Sequence, residues 1–109
     1  TVEQRLHTLR ELRQRLRPRA PLVVAHHSVP QDADGKHRWL QRYAAFGEAS
    51  GIPRADAQRA VAAITERLPL LSPEQEVALL QAAGFDNVEL FYAGFSFKGW
   101  VAHAPATPV

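Results

Sequence analysis

Three features of this 109-residue chain predict an α/β fold with about four helices and three strands. Apolar residues recur at helical spacing in four separate stretches. A continuous apolar run, Leu22-Val23-Val24-Ala25, has the character of a central strand with helices packed above and below it. Between Leu79 and Trp100 the apolar period switches from helical to alternating at Gly84. The resulting order of helix, strand, three helices, strand, strand suits a sheet layered with helices, not a bundle or a sandwich.

The first helix is set by Val2, Leu6, Leu9, Leu12 and Leu16, one stripe at steps of three and four, with the arginines on its wet side and Pro18 as its stop. The strand Pro21 to Ser28 comes next. A turn-rich loop, VPQDADGKH, leads to a helix carrying Trp39, Leu40, Tyr43, Ala44 and Phe46 up to a break at Ser50 and Gly51. Pro53 opens the next helix, whose buried stripe is expected to be Ala57, Ala60, Val61, Ile64 and Leu68. Ser72 and Gln75 then form a capping box around Pro73, and Gly84 ends that helix by taking the left-handed conformation that a side chain resists. Val88, Leu90 and Tyr92 alternate with Glu89 and Phe91 in a strand from Asn87 to Tyr92. A reversal at Ala93 and Gly94 returns the chain antiparallel, with Phe95, Phe97, Gly99 and Val101 on one face and Ser96, Lys98, Trp100 and Ala102 on the other.

Length fits one domain, here residues 1–104, with residues 105–109 as a frayed tail. The absence of cysteine removes disulfides and thiolate metal sites and points to a reducing compartment, the cytoplasm. No run approaches the roughly 18 apolar residues of a membrane span, and no signal-peptide pattern opens the chain. Thr1 in place of an initiating methionine leads us to expect a processed product or a piece of something longer. The net charge of +2 is small, and its basic excess is confined to Arg5, Arg10, Arg13, Arg15, Arg17 and Arg19. A phosphate-tracking helix for nucleic acid is the sharp reading of that stretch; a solvated helix face is the favoured one, since no nucleic-acid module motif accompanies it.

Two stretches carry a family resemblance. RLRPRAPLVVAHHS resembles the segment of class I S-adenosylmethionine-dependent methyltransferases in which a helix ends in a proline-glycine turn and delivers the fifth strand. LSPEQEVALLQAAGFDNVELFYAGFSFKGWVAH is similar to that fold's closing unit, a helix ending in AGF, the sixth strand, and an antiparallel seventh strand inserted between the fifth and sixth. The resemblance spans Leu9 to His103 but only the second half of the family's domain. It implies a partial Rossmann-like sheet in the order 5-7-6 with strand 7 antiparallel. Arg19 and Ala20 stand where two glycines are common. None of the six glycines lies in a strand–loop–helix setting that could form the cofactor loop.

The resemblance further implies the acceptor-side portion of a methyltransferase. S-adenosylmethionine would be bound by the full-length protein and not by this segment, which would be inactive alone. The acceptor side would gather His27, Trp39, Tyr43, Tyr92 and Phe95, although aromatic residues at such spacings also suit plain core and sheet packing. No catalytic residue is assigned; His27 as a general base stands on position alone. His26 and His27 are strand neighbours that point to opposite faces, so they do not jointly hold a metal, and Asp32, Asp34 and His37 match no closed zinc spacing. Two partners are expected: the missing amino-terminal half of the domain, and a second copy paired along the exposed edge of strand 22–27, as in a stand-alone dimerisation module.

Overall fold

In the computed structural model, which describes residues 1–106, the chain forms four helices and one three-stranded sheet. Helix α1 (Val2–Arg15) begins with a capping box between Thr1 and Gln4 and gives way at Leu16 to extended backbone, ahead of Pro18. Strand β1 is Pro21–His27, and α2 is Ala33–Ala49. Helix α2 starts inside the stretch expected to be loop, because the Asp32 carboxylate accepts the Gly35 N–H at 2.8 Å and caps it. Helix α3 (Arg54–Arg67) has Pro53 at its cap position. Helix α4 (Pro73–Ala82) carries the Ser72–Gln75 capping box in full, with both reciprocal hydrogen bonds formed. Gly84 takes φ 99°, and Phe85 drops into the core directly after it.

Strands β2 (Asp86–Gly94) and β3 (Phe97–His103) form the closing hairpin. The sheet order is β1-β3-β2, with β3 antiparallel to both neighbours, so β1 and β2 run in the same direction. That is the expected spatial order with the expected reversed middle strand. The turn itself falls two residues later than anticipated, at Phe95 and Ser96. Phe95 takes φ 58°, as the first residue of a two-residue hairpin loop of the II′ kind must. Two bulges also break the alternation read from the sequence. One lies between Asp86 and Glu89, where Asn87 takes φ 52°; the other lies between Leu90 and Tyr92. Leu90 therefore pairs with Trp100 and Tyr92 with Gly99, which puts them on opposite faces.

The side chains separate into two cores. In one, α1 and α4 cover the sheet face that carries Leu22, Val24, Trp100 and Ala102, and Leu9, Leu79, Leu80 and Phe85 close over it. The other joins α2 to α3 through Leu40, Ala44, Ala57 and Val61, with Val29 and Ile64. Ala60 and Leu68, expected in the α3 stripe, are exposed, because α3 packs chiefly on α2 through Ala57 and Val61. Arg5 leaves the wet side of α1 to reach the buried Glu76 carboxylate at 2.8 Å and donates a second hydrogen bond to the Pro69 carbonyl. The molecule extends over 49 × 24 × 19 Å.

Strand β1 is not a central strand covered on both faces. It lies at an edge of the sheet, and its exposure alternates, with Pro21, Val23 and Ala25 open to solvent. Beside Val23 on the same face stand Val101, Phe97, Phe91 and Tyr92, of which Phe91 and Tyr92 are more than half exposed. The tail is partly tied down: the Arg19 N–H donates to the carbonyls of Ala104 and Pro105, so Pro105 does not fray as expected. Ala106 is exposed, and residues 107–109 of that stretch lie outside the described residues. Among the described residues no helix is long and apolar enough to cross a membrane.

Candidate functional site

The ends of β1 and β2 point the same way, and the chain is pinned there by backbone hydrogen bonds. The Ser28 N–H donates to the Ser96 carbonyl at 2.7 Å, and the Val29 N–H donates to the Leu71 carbonyl at 3.1 Å. The Ser28 hydroxyl bonds that same Leu71 carbonyl at 2.8 Å. Ser28, Val29 and Ser96 are wholly buried. This knot fixes the last residue of β1, His27, and the hairpin tip at Phe95 against α2 and α4.

Four of the five residues expected on the acceptor side meet at this end. His27, Tyr43, Tyr92 and Phe95 line one cleft of about 320 Å³, together with Phe46 and Phe97. The His27 ring stands edge-on to Tyr43 at 4.8 Å between centroids and to Phe97 at 5.3 Å, and Phe46 lies 5.4 Å from Phe95. The Tyr92 hydroxyl folds back over Gly94, to 2.8 Å from where a β-carbon would stand, so a side chain there would push the ring aside. Trp39, the fifth, lines a neighbouring cavity of about 750 Å³ on the α4 side of the hairpin tip, which shares Gly94 and Phe95 with the first. Both volumes fall within the range of small-molecule sites, about 300–1,000 Å³.

The electrostatics of the two imidazoles differ from a simple acid–base reading. Burial, and then the nearby Lys98 ammonium, lower the His27 pKa, so the ring is neutral at neutral pH. His27 Nδ1 lies 3.1 Å from Ser96 Oγ, the one hydrogen-bond partner of that buried hydroxyl. A buried O–H left without an acceptor costs about 1–3 kcal/mol, so the hydroxyl donates to Nδ1 and the ring proton resides on Nε2. His26, on the opposite face as expected, is pushed down to about 4 by burial, by Arg5 and by His27. Among the described residues no three His, Cys, Asp or Glu side chains come together as metal ligands.

Lys98, which sequence reasoning placed in the sheet and gave no role, is the charged group of the site. Its ammonium donates to the carbonyls of Ser28 at 2.9 Å and Phe95 at 3.2 Å and stands 5.6 Å from the Trp39 ring, and burial lowers its pKa. Arg42 lies over the same indole at 4.7 Å. The alternation of β3 was the available signal, since it sets Lys98 and Ser96 on the face opposite Phe97. No protein-family model matches the chain, and no curated protein matches it.

Proposed function

We propose that the chain is the carboxyl-terminal, acceptor-side portion of an S-adenosylmethionine-dependent methyltransferase with a Rossmann-like sheet, inactive by itself. The observation that carries the reading is the reversed strand β3 held between two strands that run the same way. A free outer edge on β1 and an uncovered apolar sheet face accompany it; further strands and helices of the same domain would occupy both. Ligands of such sheets lie beyond the carboxyl ends of the parallel strands, which is where the aromatic clefts open.

The residues present do not fit the cofactor. Among the described residues the one strand-to-helix connection, from Ser28 to Asp32, contains no glycine, and the Asp32 carboxylate is engaged in capping α2. No step is therefore assigned to a bound cofactor. What this chain offers is alignment: aromatic walls that hold a flat acceptor, a neutral imidazole, and exclusion of water from the reacting group. Calorimetric titration of S-adenosylmethionine into this chain is expected to give no binding, and a protein that also carries the coding sequence upstream of Thr1 is expected to bind it. Micromolar binding by this chain alone, or an upstream sequence with no strand and glycine-rich loop, would count against the reading.

The unpaired β1 edge favours a second reading, an assembly module in which two copies pair along residues 22–27. Sedimentation at high concentration should then show a dimer, and Val23→Lys, which places a charge on the exposed strand face, should return it to monomer. A monomeric wild-type chain would remove this reading. Nucleic-acid binding through α1 has less to stand on, because Arg5 is committed to Glu76 and Arg13 Nε is buried.

A further inference from the structure

The larger cavity contains a cation that forms no ion pair among the described residues. Lys98 is partly buried at its wall, and its ammonium meets two carbonyl oxygens and the face of Trp39. An ammonium has three N–H donors, so one remains unassigned. Neither Lys98 nor Arg42, the two cations on this indole, makes an ion pair among the described residues. Glu74 lines the same cavity from the first turn of α4, but it is exposed and forms no ion pair with Lys98. Around the ammonium the walls are Trp39, Phe95, Pro30, Pro73 and Ala93, surfaces that gain from covering an apolar body.

We propose that this cavity binds a small, flat, apolar molecule bearing one carboxylate, with the carboxylate on Lys98 and the apolar body against Trp39 and Phe95. A carboxylate supplies the missing acceptor for the third N–H and the missing opposite charge at once, and charge-assisted hydrogen bonds are about twice as strong as neutral ones. An anion placed there favours the charged form of Lys98 and so opposes the desolvation that lowers its pKa. As the identity of the methyl acceptor this inference rests on the methyltransferase reading; as a binding site it does not. The two fail separately, because one is measured with S-adenosylmethionine and the other without it.

The chain has two tryptophans, one in the cavity and one in the core, so their indole N–H signals in a nitrogen-15 spectrum act as site and control. The probe is 2-naphthoate, set against its neutral analogue 2-naphthylmethanol. Naphthoate is expected to shift the Trp39 signal and leave that of Trp100 in place, and to bind about tenfold more tightly than the alcohol. Lys98→Met should bring naphthoate down to the affinity of the alcohol without changing the alcohol. Glu74→Gln, which leaves the fold's bonds untouched, should tighten naphthoate a few-fold and serves as the arm that survives if Lys98→Met does not fold. Equal affinity for acid and alcohol, shifts confined to residues of the open sheet face such as Phe91, or indifference of naphthoate to both substitutions would overturn the proposal.

Discussion

On one face of the sheet Trp100 is 1% exposed and lies with Ala102 beneath α1 and α4, whereas on the other Val23 is 60% and Phe91 58% exposed. The two faces are built from the same kinds of residue, β-branched and aromatic, on the same three strands. The difference arises outside the sheet. Two helices, α1 and α4, bring Leu9, Leu79 and Leu80 to the first face, and on the second α2 reaches only the end near His27 and Phe97. A large contiguous apolar surface left open is the usual mark of a surface that meets another body. The contrast between the faces therefore marks the open one as a surface fit to meet another body.

The contrast is broken most directly by truncating one aromatic on each face. Trp100→Ala removes the largest fully buried side chain and is expected to cost about 3–5 kcal/mol, a large share of the roughly 5–15 kcal/mol that holds a domain folded. Phe91→Ser on the open face should change stability by about 0.5 kcal/mol or less. Urea unfolding of the two variants separates the outcomes. If Phe91→Ser cost as much as Trp100→Ala, the second face would already be covered in solution, and a self-associated chain would be the cause to test by dilution.

The next effect belongs to the covered face alone. Arg5 is the partner of Glu76, whose side chain is 2% exposed, and burial raises the Glu76 pKa while Arg5 opposes that rise. Arg5→Met leaves an unpaired buried carboxylate, and a loss of about 3 kcal/mol is expected. Glu76→Leu on that background should recover most of it, because replacing both members of a buried pair by apolar groups is often neutral. A double variant no more stable than Arg5→Met would show that the pair does not act through burial of charge.

The sequence made local features legible and left distant ones hidden. The Ser72–Gln75 box and the Gly84 stop involve residues within a few positions of one another, and each formed as read. The strand order came from the family resemblance, since periodicity gives directions along a strand and no neighbours across it. The Arg5–Glu76 pair spans 71 positions, and no pattern on α1 distinguishes Arg5 from the arginines that stay in water. In the site, His27, Tyr92 and Phe95 were gathered because each lies at or near the end of a strand, and Tyr43 because its helix was expected to cover that end. Phe46 suited plain helix packing by its spacing, and Lys98 was missed because nothing in the alternation of β3 announces that its ammonium turns back to the Ser28 and Phe95 carbonyls. Asn87, a residue that tolerates the left-handed region, was the one local hint of the first bulge.

A smaller effect than the loss of the ion pair sharpens the comparison by using pH, because His26 faces the covered side and has Arg5 beside it. Its pKa lies at about 4 in the folded chain against an ordinary value of 6.5, so as pH falls the unfolded chain takes up this proton first. The stabilisation is complete above about pH 6.5 and is lost as pH falls toward 4. His27, also lowered, acts in the same direction. Glu76, with a raised pKa, acts in the opposite one: the folded chain takes its proton first, which adds stability as pH drops into the carboxylate range. Because His26 is only half buried, solvent screening reduces its share to about 1 kcal/mol. Urea midpoints should therefore decline from pH 7 to pH 5, and His26→Gln should flatten most of that decline, leaving the smaller part that His27 contributes. An undiminished slope in His26→Gln would mean that His27, whose pKa is lowered in the same direction, and not His26, sets the decline.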